Sequence, residues 1–286
     1  MIDKDIFQKY LDEYKEDFVQ RFKFASGYVW KAVKTFQDNF TLEAENFSEM
    51  LEKSLSDTYI LMALRSRMSQ LWPKKQILWF AEVSPKETKQ VFNDLFDEKI
   101  SLINRLRTAK ENMSAMYLKY KHNKINFIQN YQTLYILYLY LFLRYPEKYF
   151  IYQELMFKKA RDFLSASYKF ENTKAYSNLI NCHLFMKELQ KNLKQDEELI
   201  TILNSCLEDI HYSDENLNIL TSDFTYFLKV RSSSKDRLKY KPRFFKKKVK
   251  KNKPDHADKE NIDKNTDNNE DVAKSETENL AEEKQS

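Results

Sequence analysis

Apolar positions in this chain recur mainly every three or four residues, the spacing of one face of an α-helix. Ile6, Tyr10, Tyr14 and Phe18, with Phe7 and Leu11 beside them, predict a helix over residues 3–22. Phe24, Tyr28, Trp30, Val33 and Phe36 continue the pattern to Gln37, with a break expected near Gly27. Phe47, Leu51, Leu55, Tyr59 and Met62 form one stripe and predict a helix from about 43 to 70. Trp72-Pro73 opens another, ending near Val83, because proline fits the first helical turn. Ser84-Pro85-Lys86-Glu87 is the clearest start signal, with Ser84 as N-cap, Pro85 in the first turn and Glu87 as the reciprocal capping-box partner. Behind it, the stripe from Val91 through Phe96 and Ile100 to Leu106 predicts one helix to about Lys110. The polar stretch that follows, to Asn126, reads as a loop, unless Met113, Met116 and Tyr117 lengthen the helix.

The most apolar segment is Leu134 to Leu143, ten apolar residues in succession. It is too short to cross a bilayer, and a run of this length is a core helix or strand. Arg144-Tyr145-Pro146 ends it, since the residue before a proline is pushed out of the helical region. A second aromatic run follows, Tyr149-Phe150-Ile151-Tyr152, read as a buried hinge with a short strand pair near 149–152 left open. Further helices are predicted over 154–166, 173–193, 197–207 and 217–230. Clear alternating strands and internal repeats are missing. The expected fold is mostly α, a multi-helix globular bundle over residues 1–231.

Composition narrows the function classes. The 286 residues contain one glycine, Gly27, and five prolines. A phosphate-binding P-loop needs two glycines and a dinucleotide fingerprint three, so neither exists here in standard form, and no cofactor is expected. Cys182 and Cys206 give no disulfide framework and suit a reducing compartment. The N-terminal residues lack the basic and apolar blocks of a signal peptide. The reading is a cytoplasmic protein with no membrane span.

The net charge of +5 conceals an asymmetry. Residues 235–253 carry 11 Lys/Arg against 1 Asp, a net of +10, whereas 254–286 carry 4 Lys against 11 Asp/Glu, a net of −7. The body is therefore nearly neutral. Residues 232–253 read as a basic linker. Residues 254–286 read as a disordered acidic tail, too poor in apolar side chains to offset ordering entropy.

Several groups of residues invite a chemical reading. Glu208, Asp209, Asp214, Glu215 and Asp223 would suit a metal-dependent nuclease only if they converged on one ion. At a loop and helix start they are better explained as capping and solvated acids. Cys182, His183, Cys206 and His211 lack zinc-ligand spacing, and adjacent helical residues point about 100° apart. No catalytic residue or metal site is assigned. Arg144 and Lys148, set among Tyr145, Tyr149, Phe150 and Tyr152, have the types that hold phosphate and stack bases, although the aromatics equally suit a core. Lys239, Lys241, Arg243, Lys246, Lys247, Lys248, Lys250 and Lys251 form the strongest local signal. With Tyr240, Phe244 and Phe245 between them, they would release counterions from a polyanion and stack on bases.

Several segments in order carry a family resemblance: Phe36-Gln37-Asp38-Asn39-Phe40 with Phe47 to Leu51, Leu55-Ser56-Asp57-Thr58, and Phe92-Asn93-Asp94-Leu95-Phe96-Asp97-Glu98. Leu143-Arg144-Tyr145-Pro146-Glu147-Lys148-Tyr149-Phe150-Ile151-Tyr152, then Ser205 to Leu217 and Leu220-Thr221-Ser222-Asp223-Phe224, complete the series. Together, over about residues 30–230, they resemble the N-terminal region that precedes the motor in McrB-type AAA ATPases of modification-dependent restriction systems. The chain ends where that family continues into its nucleotide-binding motor, so no nucleotide hydrolysis is carried over. It also has Asp209-Ile210-His211-Tyr212-Ser213-Asp214-Glu215 where family members tend to show Asp-Asp-Cys-Tyr-Pro-Asp-Pro. The resemblance implies a non-enzymatic recognition or adaptor module that contributes DNA binding in a defence system. The alternatives are a protein-interaction subunit for a separately encoded AAA motor or nuclease, and a truncated remnant.

Overall fold

In a computed structural model, residues 2–62, 72–123 and 127–233 are described. All elements among them are helical: α1 (Lys4–Arg21), a π-turn (Phe22–Ser26), α2 (Tyr28–Asn39), α3 (Phe47–Ser54), α4 (Tyr59–Met62), α5 (Trp72–Val83) and α6 (Pro85–Phe96). Then come α7 (Leu102–Tyr120), a 3₁₀ turn (Lys121–Asn123), α8 (Leu134–Arg144), α9 (Glu154–Phe163), α10 (Ala175–Leu193), α11 (Glu197–Cys206) and α12 (Asn218–Ser233). The protein is all-α. None of the helices among the described residues is long and apolar enough to cross a membrane.

Two helices organise the packing. The apolar run is α8, buried without interruption from Ile136 to Leu143 and packed by α2, α6 and α7. α12 is the second axis, packed by α9, α10 and α1. Its interior position is unexpected, because Asn218, Thr221, Ser222, Asp223 and Thr225 are all buried. Burial of such groups requires partners, and α12 finds them. Thr221 and Thr225 donate back to Leu217 O and Thr221 O, while Ser222 donates to Asn218 O at 2.8 Å. Asp223 faces α1.

The two axes meet at the aromatic hinge, and here the open strand reading is corrected. Tyr149–Tyr152 has no regular secondary structure and forms no strand. Its main-chain groups bond to side chains of α12 instead: Asn218 Nδ2 donates to Tyr149 O (3.1 Å), and Ile151 N donates to Ser222 Oγ (3.0 Å). Asn218 and Ser222 lie one helical turn apart, so one helix face satisfies the segment that a neighbouring strand would otherwise have satisfied.

Two helix boundaries and one cap also differ from expectation. The predicted 43–70 helix is broken after Ser54: Ser54 and Thr58 hydroxyls bond Met50 O and Leu55 O, and α4 restarts at Tyr59. Residues 63–70 of that prediction lie outside the described residues. The predicted helix to Lys110 is two helices, interrupted at 97–101, where Asp97 Oδ1 accepts from Lys99 N, and α7 then continues through Met113 and Met116. Pro85 does open α6 behind Ser84, but no capping box forms. The Ser84 N–H is already bonded to Phe80 O as the last donor of α5, and Glu87 instead pairs with Lys119.

Gly27 is not used for a left-handed turn; its φ is −56°. Its N–H bonds five residues back to Phe22 O (2.8 Å), closing the π-turn, and a Cβ there would lie 2.7 Å from that same oxygen. Among the described residues, the left-handed positions fall to Ser165, Asp214 and Leu217.

Candidate interaction surface at the hinge

Pro146 turns the chain out of α8, and Lys148 N and Tyr149 N both bond to Tyr145 O. Tyr149, Phe150 and Tyr152 are thereby turned inward and buried. They belong to the core and cannot stack on a base. Arg144 and Lys148 are brought together around a single ring: the Arg144 guanidinium lies 5.6 Å and the Lys148 ammonium 5.1 Å from the Tyr145 centroid. The two are not equivalent. Lys148 is exposed and ion-paired with Glu98, whereas Arg144 is half-buried and also lies over Phe40 at 5.9 Å. Gln37 Nε2 fastens the end of α8 by donating to Arg144 O at 2.9 Å.

Under the hinge sits a buried cation that the sequence does not reveal. Arg105 of α7 is 4% exposed, donates to Leu95 O (3.0 Å) and Tyr149 Oη (2.8 Å), and meets no carboxylate among the described residues. The carbonyl end of α6 is its main electrostatic counterweight. Only its place in an otherwise apolar helix stripe hinted at burial.

Outside the hinge lies an open groove of about 360 Å³, lined by Leu102, Lys148, Tyr149, Ile180, His183 and Leu184. Ile180 and Leu184, one turn apart on α10, are 45% and 52% exposed. Both lie within the helix expected over 173–193, whose other face, with Leu179, Cys182, Phe185, Met186 and Leu189, is buried. His183, between them, accepts or donates at 3.3 Å with Tyr138 Oη, and burial pushes it down from 6.5 to about 4. It is therefore neutral near pH 7.

The acidic residues do not form one cluster. Asp214 is buried and caps α12, accepting from Ile219 N (3.0 Å) and Leu220 N (2.8 Å). Burial outweighs those bonds and pushes its carboxyl up from 3.8 to about 7. Asp223 is neither a cap nor solvated, a correction to the sequence reading: it lies inside α12 and pairs with Arg21. Glu208, Asp209 and Glu215 are exposed. Among the described residues no three His, Cys, Asp or Glu side chains converge as metal ligands. Burial raises the Cys182 thiol well above its ordinary value, which leaves it protonated and unreactive.

Lys239, Lys241, Arg243, Lys246, Lys247, Lys248, Lys250 and Lys251 lie outside the described residues, as does the 254–286 tail. Compared with protein-family models, curated proteins and solved structures, the chain finds no match.

Proposed function

We propose that this chain is a non-enzymatic recognition or adaptor module whose helical body engages a partner protein and whose 239–251 segment contributes DNA binding. The resemblance to the pre-motor region of McrB-type ATPases supplies the defence setting, with a separately encoded motor or nuclease as the class of partner. The observation that supports a protein-binding body is the pair Ile180 and Leu184, exposed beside each other on an otherwise well-packed helix. Exposed apolar side chains grouped in a groove are characteristic of recognition surfaces. The single glycine supports the non-enzymatic part by excluding a standard P-loop.

The DNA part is tested by fluorescence anisotropy with labelled duplex at several salt concentrations. The full chain is compared with a variant carrying Lys246→Gln, Lys247→Gln, Lys248→Gln, Lys250→Gln and Lys251→Gln. Binding should fall steeply with salt, and removing five charges should flatten the log–log slope by about four. An unchanged slope would move DNA contact to the body, with Arg144 and Lys148 as the next substitutions. No binding by either protein, even at low salt, would remove DNA from the proposal.

A further inference from the structure

The groove between α7 and α10 has a chemistry that selects its occupant. We propose that it receives an acidic amphipathic helix of a partner protein, whose apolar stripe covers Ile180 and Leu184 and whose carboxylates meet the surrounding cations. This rests on the adaptor reading above and names the partner chemistry for its surface.

The geometry favours a helix. α7 and α10 share little contact, and Arg107 of α7 lies over the Tyr176 ring of α10, at 5.9 Å. From Tyr176 to Lys187, α10 offers a face of roughly 17 Å at 1.5 Å per residue, enough for about three turns of a second helix. Along it, Tyr176, Ile180, His183, Leu184 and Lys187 follow the i, i+4, i+7, i+8, i+11 spacing that lines one side of a helix–helix contact.

Cations border the groove. Arg107 stands at one end, Lys148 flanks the middle and Lys187 stands at the other end. Lys148 is balanced by Glu98, an exposed pair of the kind that contributes little and exchanges readily. Among the described residues, Lys187 meets Gln190 Oε1, at 3.3 Å, and the Phe150 ring, at 5.2 Å. Burial, and then the nearby Lys194, hold its ammonium below the ordinary lysine value, so a carboxylate placed there would relieve an existing strain on the charge. His183 is neutral in the groove floor. Beneath Tyr149, buried Arg105 adds a further positive charge. A basic partner or an uncharged one would leave these cations facing each other across an apolar floor. Nucleic acid would meet the cations, but would set its phosphates against Ile180 and Leu184.

Selection of random 16-residue peptides displayed on their own messenger RNA, with the full chain as bait, tests this directly. A matched bait carrying Ile180→Glu and Leu184→Glu retains the basic segment and so exposes peptides held only by charge. Both positions are exposed, so the doubly substituted chain should keep its helical circular dichroism. The expected outcome is a set of sequences with Leu, Ile or Phe at i, i+3/i+4 and i+7 and acids between them. These should bind the substituted chain at least tenfold more weakly and a Lys187→Glu chain about tenfold more weakly. Enriched peptides that bind both baits equally would overturn the groove while leaving the adaptor reading intact. Enriched peptides that need the groove but are not acidic would overturn the charge argument. Failure to enrich any peptide over empty beads would overturn both the groove and the protein-binding body.

Discussion

Arg21 of α1 and Asp223 of α12, 202 residues apart in sequence, form a buried ion pair: one guanidinium nitrogen reaches both carboxylate oxygens, at 2.8 and 2.7 Å. Tyr14 Oη donates to the same carboxylate at 2.7 Å, and the guanidinium lies 4.9 Å from the Tyr14 ring. The pair thus ties the first helix of the body to the last. Breaking it from one side strands a buried charge, so Arg21→Met should cost about 3–5 kcal/mol. Replacing both, as Arg21→Met with Asp223→Leu, should recover most of that loss, because the desolvation penalty vanishes with the charges. Urea unfolding measures both; a single substitution costing under about 1 kcal/mol would show that the pair is dispensable.

Gly27→Ala should destabilise the body, although the same change in an ordinary exposed helix is stabilising. The added methyl would press on Phe22 O at 2.7 Å, within the π-turn that joins α1 to α2. A loss of about 1–3 kcal/mol is expected from such overpacking. Thermal unfolding followed by circular dichroism reads the sign, and a raised midpoint would rule out the close approach.

Asp214 and His183 should contribute opposite pH dependences over one window. The Asp214 carboxyl is raised from 3.8 to about 7, so its stabilising effect is complete below about 4 and lost as pH rises to 7. His183 is lowered from 6.5 to about 4, so its effect is complete above 6.5 and lost as pH falls to 4. Asp214→Asn should therefore flatten the decline of stability with rising pH, and His183→Gln the decline with falling pH. Unfolding midpoints taken every half unit between pH 4 and 7.5 separate the two. Identical profiles for wild type and Asp214→Asn would place the Asp214 carboxyl at an ordinary value.

Asn218→Ala removes the buried donor to Tyr149 O and one of the two acceptors of Gln190 Nε2, which keeps Asn216 O. About 1–3 kcal/mol should be lost for such a group. Ser222→Ala, which releases Ile151 N, should cost about as much. Hydrogen exchange at Ile151 gives a local readout: protection should fall in Ser222→Ala before global stability does. Unchanged exchange would mean that another group holds the segment.

Sequence periodicity made the all-α class legible, together with the location of most helices and the core position of the Leu134–Leu143 run. These depend on local repetition and on the absence of glycine-based turns. The interruptions at 55–58 and 97–101 were not legible, because the apolar stripe runs through both; short side-chain bonds from Ser54, Thr58 and Asp97 set them. The character of Arg144 and Lys148 as one exposed and one half-buried cation was only half visible, since their common partner, Tyr145, is identified by the turn.

What the sequence determined by itself is therefore what nearest neighbours along the chain can determine: helical repetition, the stop at Pro146 and the exclusion of glycine-dependent nucleotide sites. Its basic and acidic C-terminal blocks are likewise plain from composition. Tertiary structure decided which face of each helix was covered. It buried the polar face of α12 because Asn218 and Ser222 meet the hinge and Asp223 meets Arg21. It left Ile180 and Leu184 uncovered, where α7 and α10 share little contact. Periodicity shows that a helix has an apolar stripe; only long-range contacts decide whether this chain or another molecule covers it.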